Sequence, residues 1–230
     1  MNSGKSIVEV INTIPGIEIN GNTSSPGKNI DVYVRGGRSK EVVVLVDGIQ
    51  VSDPGSFSGT FDLRYLDLNE VESIEVIKGA SSTLYGSGAT TGVINITLKK
   101  AKKGKANVAL SLFGGTNNDQ QINNGTLIQS AASVNGTIEK FNYLINFSSL
   151  DTRGTSSSRS DDDTRFEEDP FQRINTNIKL GYQINDKLSI VSMGSYAEFD
   201  NSYDSGIYLD GRNKTLDKNY RLSISPKYTY

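Results

Sequence analysis

Three stretches in the second half of the chain alternate apolar and polar residues with a period of two, and that pattern constrains the fold most. In the clearest, Ile174, Thr176, Ile178, Leu180, Tyr182 and Ile184 fall on one face, and Asn175, Asn177, Lys179, Gly181 and Gln183 on the other. Phe141, Tyr143, Ile145 and Phe147 repeat the pattern, as do Tyr220, Leu222, Ile224, Tyr228 and Tyr230. Such runs are half-buried strands, and about 9–11 tilted residues suffice to cross an outer membrane. The connections alternate too: the sequence predicts short turns near Asn135-Gly136 and Asn185-Asp186, and long polar loops over 151–170 and 200–215. Short turns at one end and long loops at the other suit a membrane barrel. A soluble β-sandwich also alternates, so periodicity alone leaves both open.

The predicted strands are about six: 106–114, 126–134, 138–150, 172–184, 187–199 and 218–230. Single-chain bacterial barrels need at least about 8 strands to close. Six leave an unpaired edge, so the sequence-based expectation is an incomplete barrel that continues past Tyr230.

Residues 1–100 are patterned differently. Ser6 to Ile14 reads as a short amphipathic helix stopped by Pro15-Gly16. Residues 30–36 and 41–47 read as two strands around a turn at 37–40. The second holds Val42-Val43-Val44-Leu45-Val46, apolar on both faces and therefore buried. Residues 70–100 then read as strand, glycine-punctuated turn, short helical segment and strand. Gly86, Gly88 and Gly92 stand one residue off a dinucleotide fingerprint. A phosphate site needs a helix opening at those glycines, whereas the β-branched run from Val93 to Thr97 favours a strand there. The basic stretch Lys99-Lys100-Ala101-Lys102-Lys103-Gly104-Lys105 reads as a solvated linker.

Composition narrows the chemistry. The 230 residues carry a formal net charge of −2, which favours neither nucleic acid nor an anionic surface. There is no Cys and no His, so disulfides, thiolate metal sites and Ser-His or Cys-His nucleophile pairs are all ruled out. No apolar run approaches the ~20 residues of a membrane-spanning helix, which does not exclude the membrane, since barrel strands carry only an alternating signal. The start Met1-Asn2-Ser3-Gly4-Lys5 lacks an apolar signal region. For an exported protein, the expectation is then a fragment or a trimmed chain.

The segment 70–100, EVESIEVIKGASSTLYGSGATTGVINITLKK, resembles the hallmark of the plug domain of TonB-dependent outer-membrane receptors. Ile14-Pro15-Gly16-Ile17, Val32-Tyr33-Val34-Arg35-Gly36 and Val44-Leu45-Val46-Asp47-Gly48 are similar to further elements of that family. Within it, Gly59 to Leu63, the acidic loop and residues 199–204 look most like the cobalamin (vitamin B12) transporters. The resemblance implies a mixed α/β plug over 1–100 with its N-terminal part missing, a linker at 101–105, and the first antiparallel transmembrane β-barrel strands over 106–230.

It also implies roles. Arg35 and Lys78 match basic plug residues that meet barrel acids and lock the plug, although the usual second residue is Arg, and Lys cannot make the bidentate fork. Solvated strand-end charges are the plain alternative. Apical loops at 22–29 and 51–61, with Ser56, Phe57 and Ser58, would meet substrate. Tyr203 and Tyr208 are aromatic surfaces for a large planar ligand, or equally belt tyrosines of the membrane interface. Asp161, Asp163 and Asp204 are the calcium candidates, since calcium takes several oxygens from flexible loops. Clustered acids on a loop are otherwise simply solvated.

The reading is thus not an enzyme but an energy-coupled receptor of a Gram-negative outer membrane, importing a large scarce nutrient such as cobalamin. Its expected partners are the TonB energy-coupling protein, whose contact segment is absent from this sequence, the nutrient ligand, and outer-membrane lipid. No nucleic acid is expected. A ferric siderophore or haem as substrate, and a calcium-stiffened β-rich adhesin, are the alternatives.

Overall fold

The computed structural model describes residues 5–21, 30–56, 59–117, 125–153, 168–205 and 211–229. The chain divides into two compact units that part between Lys99 and Lys100.

The first unit opens with α1 (Ile7–Asn12). A capping box starts it: Glu9 N–H donates to Ser6 Oγ, and Ser6 N–H to Glu9 Oε2. Ile7, Val8 and Ile11 are buried. Strand β1 (Ile17–Asn20) pairs antiparallel with β2 (Asp31–Val34) in a sheet of two. A 3-10 turn at Ser39–Glu41 leads to β3 (Val42–Val46), then β4 (Ile49–Val51). The two strands expected around residues 37–40 both form, but they do not pair. β2 joins β1, while β3 enters a second sheet. The 3-10 turn redirects the chain, so an apparent hairpin becomes a crossing between sheets.

That second sheet also takes β5 (Val71–Lys78) and β6 (Gly92–Leu98), in the order β4-β3-β6-β5. β3 and β6 run parallel, Val42 opposite Gly92 through Val46 opposite Ile96. Every residue of β3 is buried, as its unbroken apolar run requires. Between β5 and β6 lies the four-residue helix α2 (Ser82–Tyr85), which ends before Gly86. The glycines therefore lead into a strand, and no helix opens on them for a phosphate. At Gly92 a Cβ would stand 2.9 Å from Val34 Cγ1 and 3.0 Å from the Ile77 carbonyl oxygen, so close approach of neighbouring chain demands glycine there.

The second unit is a six-stranded antiparallel meander in sequence order: β7 (Asn107–Asn117), β8 (Gly125–Ile138), β9 (Phe141–Arg153), β10 (Phe171–Gln183), β11 (Leu188–Tyr203) and β12 (Asn213–Tyr228). The turn predicted at Asn135-Gly136 is not there. β8 runs through both residues, and the chain reverses at Glu139-Lys140, with Glu139 at φ 52°. Gly136 is instead a close-packing glycine, since a Cβ on it would collide with the Lys105 carbonyl.

The same packing changes the reading of the lysine-rich stretch. Its side chains at 102, 103 and 105 are exposed, yet its backbone is tied to the ends of β8 and β9. Lys102 N–H donates to Asn135 Oδ1 (3.0 Å), Thr137 N–H to the Gly104 carbonyl (2.8 Å), and the Tyr143 hydroxyl to the Lys105 carbonyl (2.6 Å).

The meander is inverted relative to a water-soluble sheet. On β10, Phe171, Arg173, Asn175 and Asn177 are buried, while Ile174, Ile178, Leu180 and Tyr182 are exposed. The register carries this apolar face across the sheet through Leu110, Phe147, Ile178 and Leu222, all exposed.

Candidate functional site

Arg35 and Lys78 lie at strand ends of the first unit. Arg35 follows β2 in the left-handed region at φ 52°, and its N–H donates to the Gly16 carbonyl (2.9 Å). The Lys78 ammonium donates to the Pro15 carbonyl, which ties the end of β5 to the turn after α1. Lys78 thus has a partner within its own unit. This is a bond that one ammonium makes as well as a guanidinium fork would.

The loop 51–61 is organised by a residue that motif reading passed over. Asp53 Oδ1 accepts from Gly55 N–H (2.9 Å), and its Oδ2 accepts from the Tyr65 hydroxyl (3.1 Å). Its own N–H reaches the Gly59 carbonyl (3.3 Å), while Ser56 N–H donates to the Asp53 carbonyl (3.1 Å). Ser56 therefore sits at the tip of a loop closed by Asp53. Asp-Pro-Gly was the available signal, an Asx-type turn that reads as mere punctuation. Beneath the loop, Asp62 grips Arg64 at 2.6 Å, and the rings of Phe61 and Tyr65 lie 5.7 Å apart. Phe57 and Ser58 lie outside the described residues.

In the second unit, Tyr203 is the last residue of β11, paired with Asn213 and partly exposed. Asp204 follows it, and its Oδ1 accepts from Gly211 N–H (3.1 Å), closing the base of the loop between β11 and β12. Tyr208, Asp161 and Asp163 lie outside the described residues. Among the described residues no group of three or more acidic side chains is placed to hold a metal.

The apolar face is bounded at the loop end by a polar border. Lys218 and Glu198 (3.6 Å), Lys214 and Asp200 (2.9 Å), and Arg153 and Asp151 (3.0 Å) pair there. All six alternate in phase with the exposed apolar residues. Just below, the cross-strand rings of Tyr196 and Tyr220 lie 5.0 Å apart, and the Tyr196 hydroxyl donates to Glu198. Tyr182 and Tyr228 mark the turn end. From Lys218 to Tyr228 is ten residue steps, roughly 33 Å of strand, or about 25 Å of height at a typical ~40° tilt. That is the thickness of an outer-membrane apolar band.

Residues 2–93 match the family described as TonB-dependent Receptor Plug Domain. A vitamin B12 transporter BtuB of Vibrio vulnificus is 32% identical over 136 residues, covering 59% of this chain and 21% of the relative. BtuB of Photobacterium profundum is 26% identical over 201 residues, 87% of this chain and 31% of the relative. The chain thus spans about a fifth to a third of the length of these curated relatives. Among solved structures, a mutant of the ferric enterobactin receptor PfeA of Pseudomonas aeruginosa superposes with a TM-score of 0.76 at 19% identity, over 98% of this chain and 36% of that one. The outer membrane transporter YddB of Escherichia coli gives 0.71 at 13%, over 98% and 35%. At these identities the likeness is one of fold. Residues 2–93 are therefore a TonB-dependent receptor plug domain, and the strands that follow it fold as those of TonB-dependent receptors do.

Proposed function

We propose that the protein is an energy-coupled outer-membrane receptor of a Gram-negative bacterium that takes up a large, scarce nutrient, with cobalamin the first candidate. The observation that carries this reading is the sequence of two opposite solvent patterns in one chain. A glycine-bearing plug sheet, apolar inside, is followed directly by a meander whose apolar face is outside. An adhesin with calcium-stiffened loops accounts for the second pattern and leaves the first without a purpose.

Cobalamin is favoured because the curated relatives named above are vitamin B12 transporters. The alternative is a ferric siderophore, favoured by the ferric enterobactin receptor among structures of like fold. In either case energy reaches the plug through TonB, and substrate is met at the loop closed by Asp53 and at the loop end of the strands around Tyr203. Calcium on Asp161, Asp163 and Asp204 belongs to the same proposal. Its support is the acidic run at 161–163 and 167–169.

The test is uptake in cells whose own receptor is deleted and which produce this protein in the outer membrane. Accumulation of labelled cobalamin that stops when the proton-motive force is collapsed supports the reading. Uptake that ignores the proton-motive force overturns energy coupling. Uptake of a ferric siderophore with none of cobalamin replaces the substrate.

A further inference from the structure

The lysines at 102–105 read as a solvated linker in the sequence, and uptake of a nutrient gives them no task. In the meander they join other lysines at one end. Lys102, Lys103 and Lys105 precede β7, and Lys102 is tied to Asn135 near the end of β8. Lys140 stands at the reversal between β8 and β9, and Lys187 in the turn between β10 and β11. Lys227, on β12, pairs with Ser189 beside that same turn. All six side chains are exposed, and the acids in these turns are Glu139 and Asp186. The formal charge of −2 for the whole chain thus conceals a surplus of cations along the turn end of the second unit.

Two observations set these lysines apart from the cations at the loop end. There, Arg153, Lys214 and Lys218 are each held by a carboxylate, of Asp151, Asp200 and Glu198. At the turn end none of the six lysines forms an ion pair among the described residues. A cation beside a carboxylate offers little to a further anion, whereas an unpaired one keeps its field. The second observation is that the backbone carrying them is fixed. The Lys102 carbonyl accepts from the Thr137 hydroxyl (3.2 Å) and the Lys103 carbonyl from Asn107 Nδ2 (3.3 Å). Lys187 N–H donates to Asn185 Oδ1 (2.9 Å), and its carbonyl accepts from Thr229 N–H (2.8 Å). The Lys140 ammonium spends one donor on the Ile184 carbonyl (3.4 Å). Tyr143, which bonds the Lys105 carbonyl, alternates in phase with Ile145 and Phe147. The lysine edge is therefore joined to the border of the apolar face.

We propose that this edge is a docking strip for the anionic headgroups of phospholipids in the leaflet at the turn end, an inference that rests on the membrane reading of the apolar face. Six strands about 4.8 Å apart make the edge roughly 24 Å long. A row of headgroups fits along it. Lipid is the occupant that the geometry favours, because the lysines border a face that itself lies in lipid, and phosphates are then the nearest anions. Lysine stems lie along the apolar border and lift their ammoniums to headgroup depth. An ammonium meets phosphate as a point charge without a fixed fork, so the bound lipids exchange freely. At the loop end the cations are already paired, so the same preference is absent there. The strip sets the depth of the strands from the turn side.

The test places the full chain in phosphatidylcholine vesicles that carry a trace of spin-labelled phosphatidylglycerol or spin-labelled phosphatidylcholine. The fraction of each probe slowed by the protein is read by electron paramagnetic resonance. The strip predicts that phosphatidylglycerol is held about threefold more strongly than phosphatidylcholine, and that about 0.5 M sodium chloride removes most of the preference. The variant Lys102→Gln, Lys103→Gln, Lys105→Gln, Lys140→Gln should hold both lipids equally. The same four positions changed to Arg should keep the preference, which separates lost charge from lost fold. Lys214→Gln with Lys218→Gln, at the loop end, should also keep it. Equal holding of both lipids by the parent overturns the strip, and is what an edge built for an acidic protein would give. A preference that survives the four glutamines or the salt overturns it too, as does one lost with the two loop-end lysines. If neither probe is slowed, the chain does not face lipid at all. The membrane reading then fails and takes the strip with it, a result distinct from equal slowing of both.

Discussion

Strands β6 and β10 are built from similar residues and solve opposite problems. β6 buries Val93, Ile94, Ile96 and Leu98 and stands between β3 and β5 as an inner strand of its sheet. β10 buries Arg173, Asn175 and Asn177 and turns Ile174, Ile178 and Leu180 outward. An apolar side chain is placed by its solvent: water drives it in, and lipid lets it stay out. The same residue types therefore build a core in one unit and, on the proposed reading, a lipid-facing surface in the other.

Breaking the comparison on the water-hidden side gives the largest effect. Val93→Asp places a carboxylate where no part of Val93 is exposed, and should cost about 4 kcal/mol or more. Limited proteolysis of residues 5–99 in the membrane-embedded protein should then show cleavage that the parent resists, and parent-like resistance would refute the buried plug sheet. On the lipid side, Ile178→Lys should lower stability by about 2–4 kcal/mol in a bilayer if the residue lies near its midplane. Urea unfolding in vesicles measures it. The milder Ile178→Val should be near neutral, and a lysine tolerated as well as valine would argue that this face meets water.

Two smaller changes sharpen the local account. Gly136→Val pushes a side chain into the Lys105 carbonyl and should cost about 1–3 kcal/mol, whereas a glycine serving as a turn would show its penalty through φ instead. Thermal unfolding in detergent reports it, and Glu139→Gly, at the true reversal, should be neutral or slightly stabilising. Ser6→Ala removes the α1 cap and should cost about 1 kcal/mol, visible as faster amide exchange over residues 7–12 and little elsewhere.

Much of this was legible in the residues. The run Val42 to Val46 announces a buried strand, and the β-branched residues after Gly92 exclude a phosphate-binding helix. Six strands were readable because alternation with period two survives wherever the two faces of a sheet have unlike surroundings. What could not be read are features that depend on a distant partner. Gly136 reads as half of an Asn-Gly turn, and only the Lys105 carbonyl above it makes it a packing residue. β2 and β3 read as neighbours until each finds its partner, β1 and β6, elsewhere in the chain. Asp53 stayed unnoticed because its role needs Tyr65, twelve residues on.

Taken by itself, the sequence determined the two solvent patterns, the plug hallmark and the absence of thiol and imidazole chemistry, because side-chain polarity, spacing and composition are local properties. Only the tertiary structure decided which strands pair and where the chain reverses. Those depend on register, and register arises from hydrogen bonds between strands that no single stretch of residues contains.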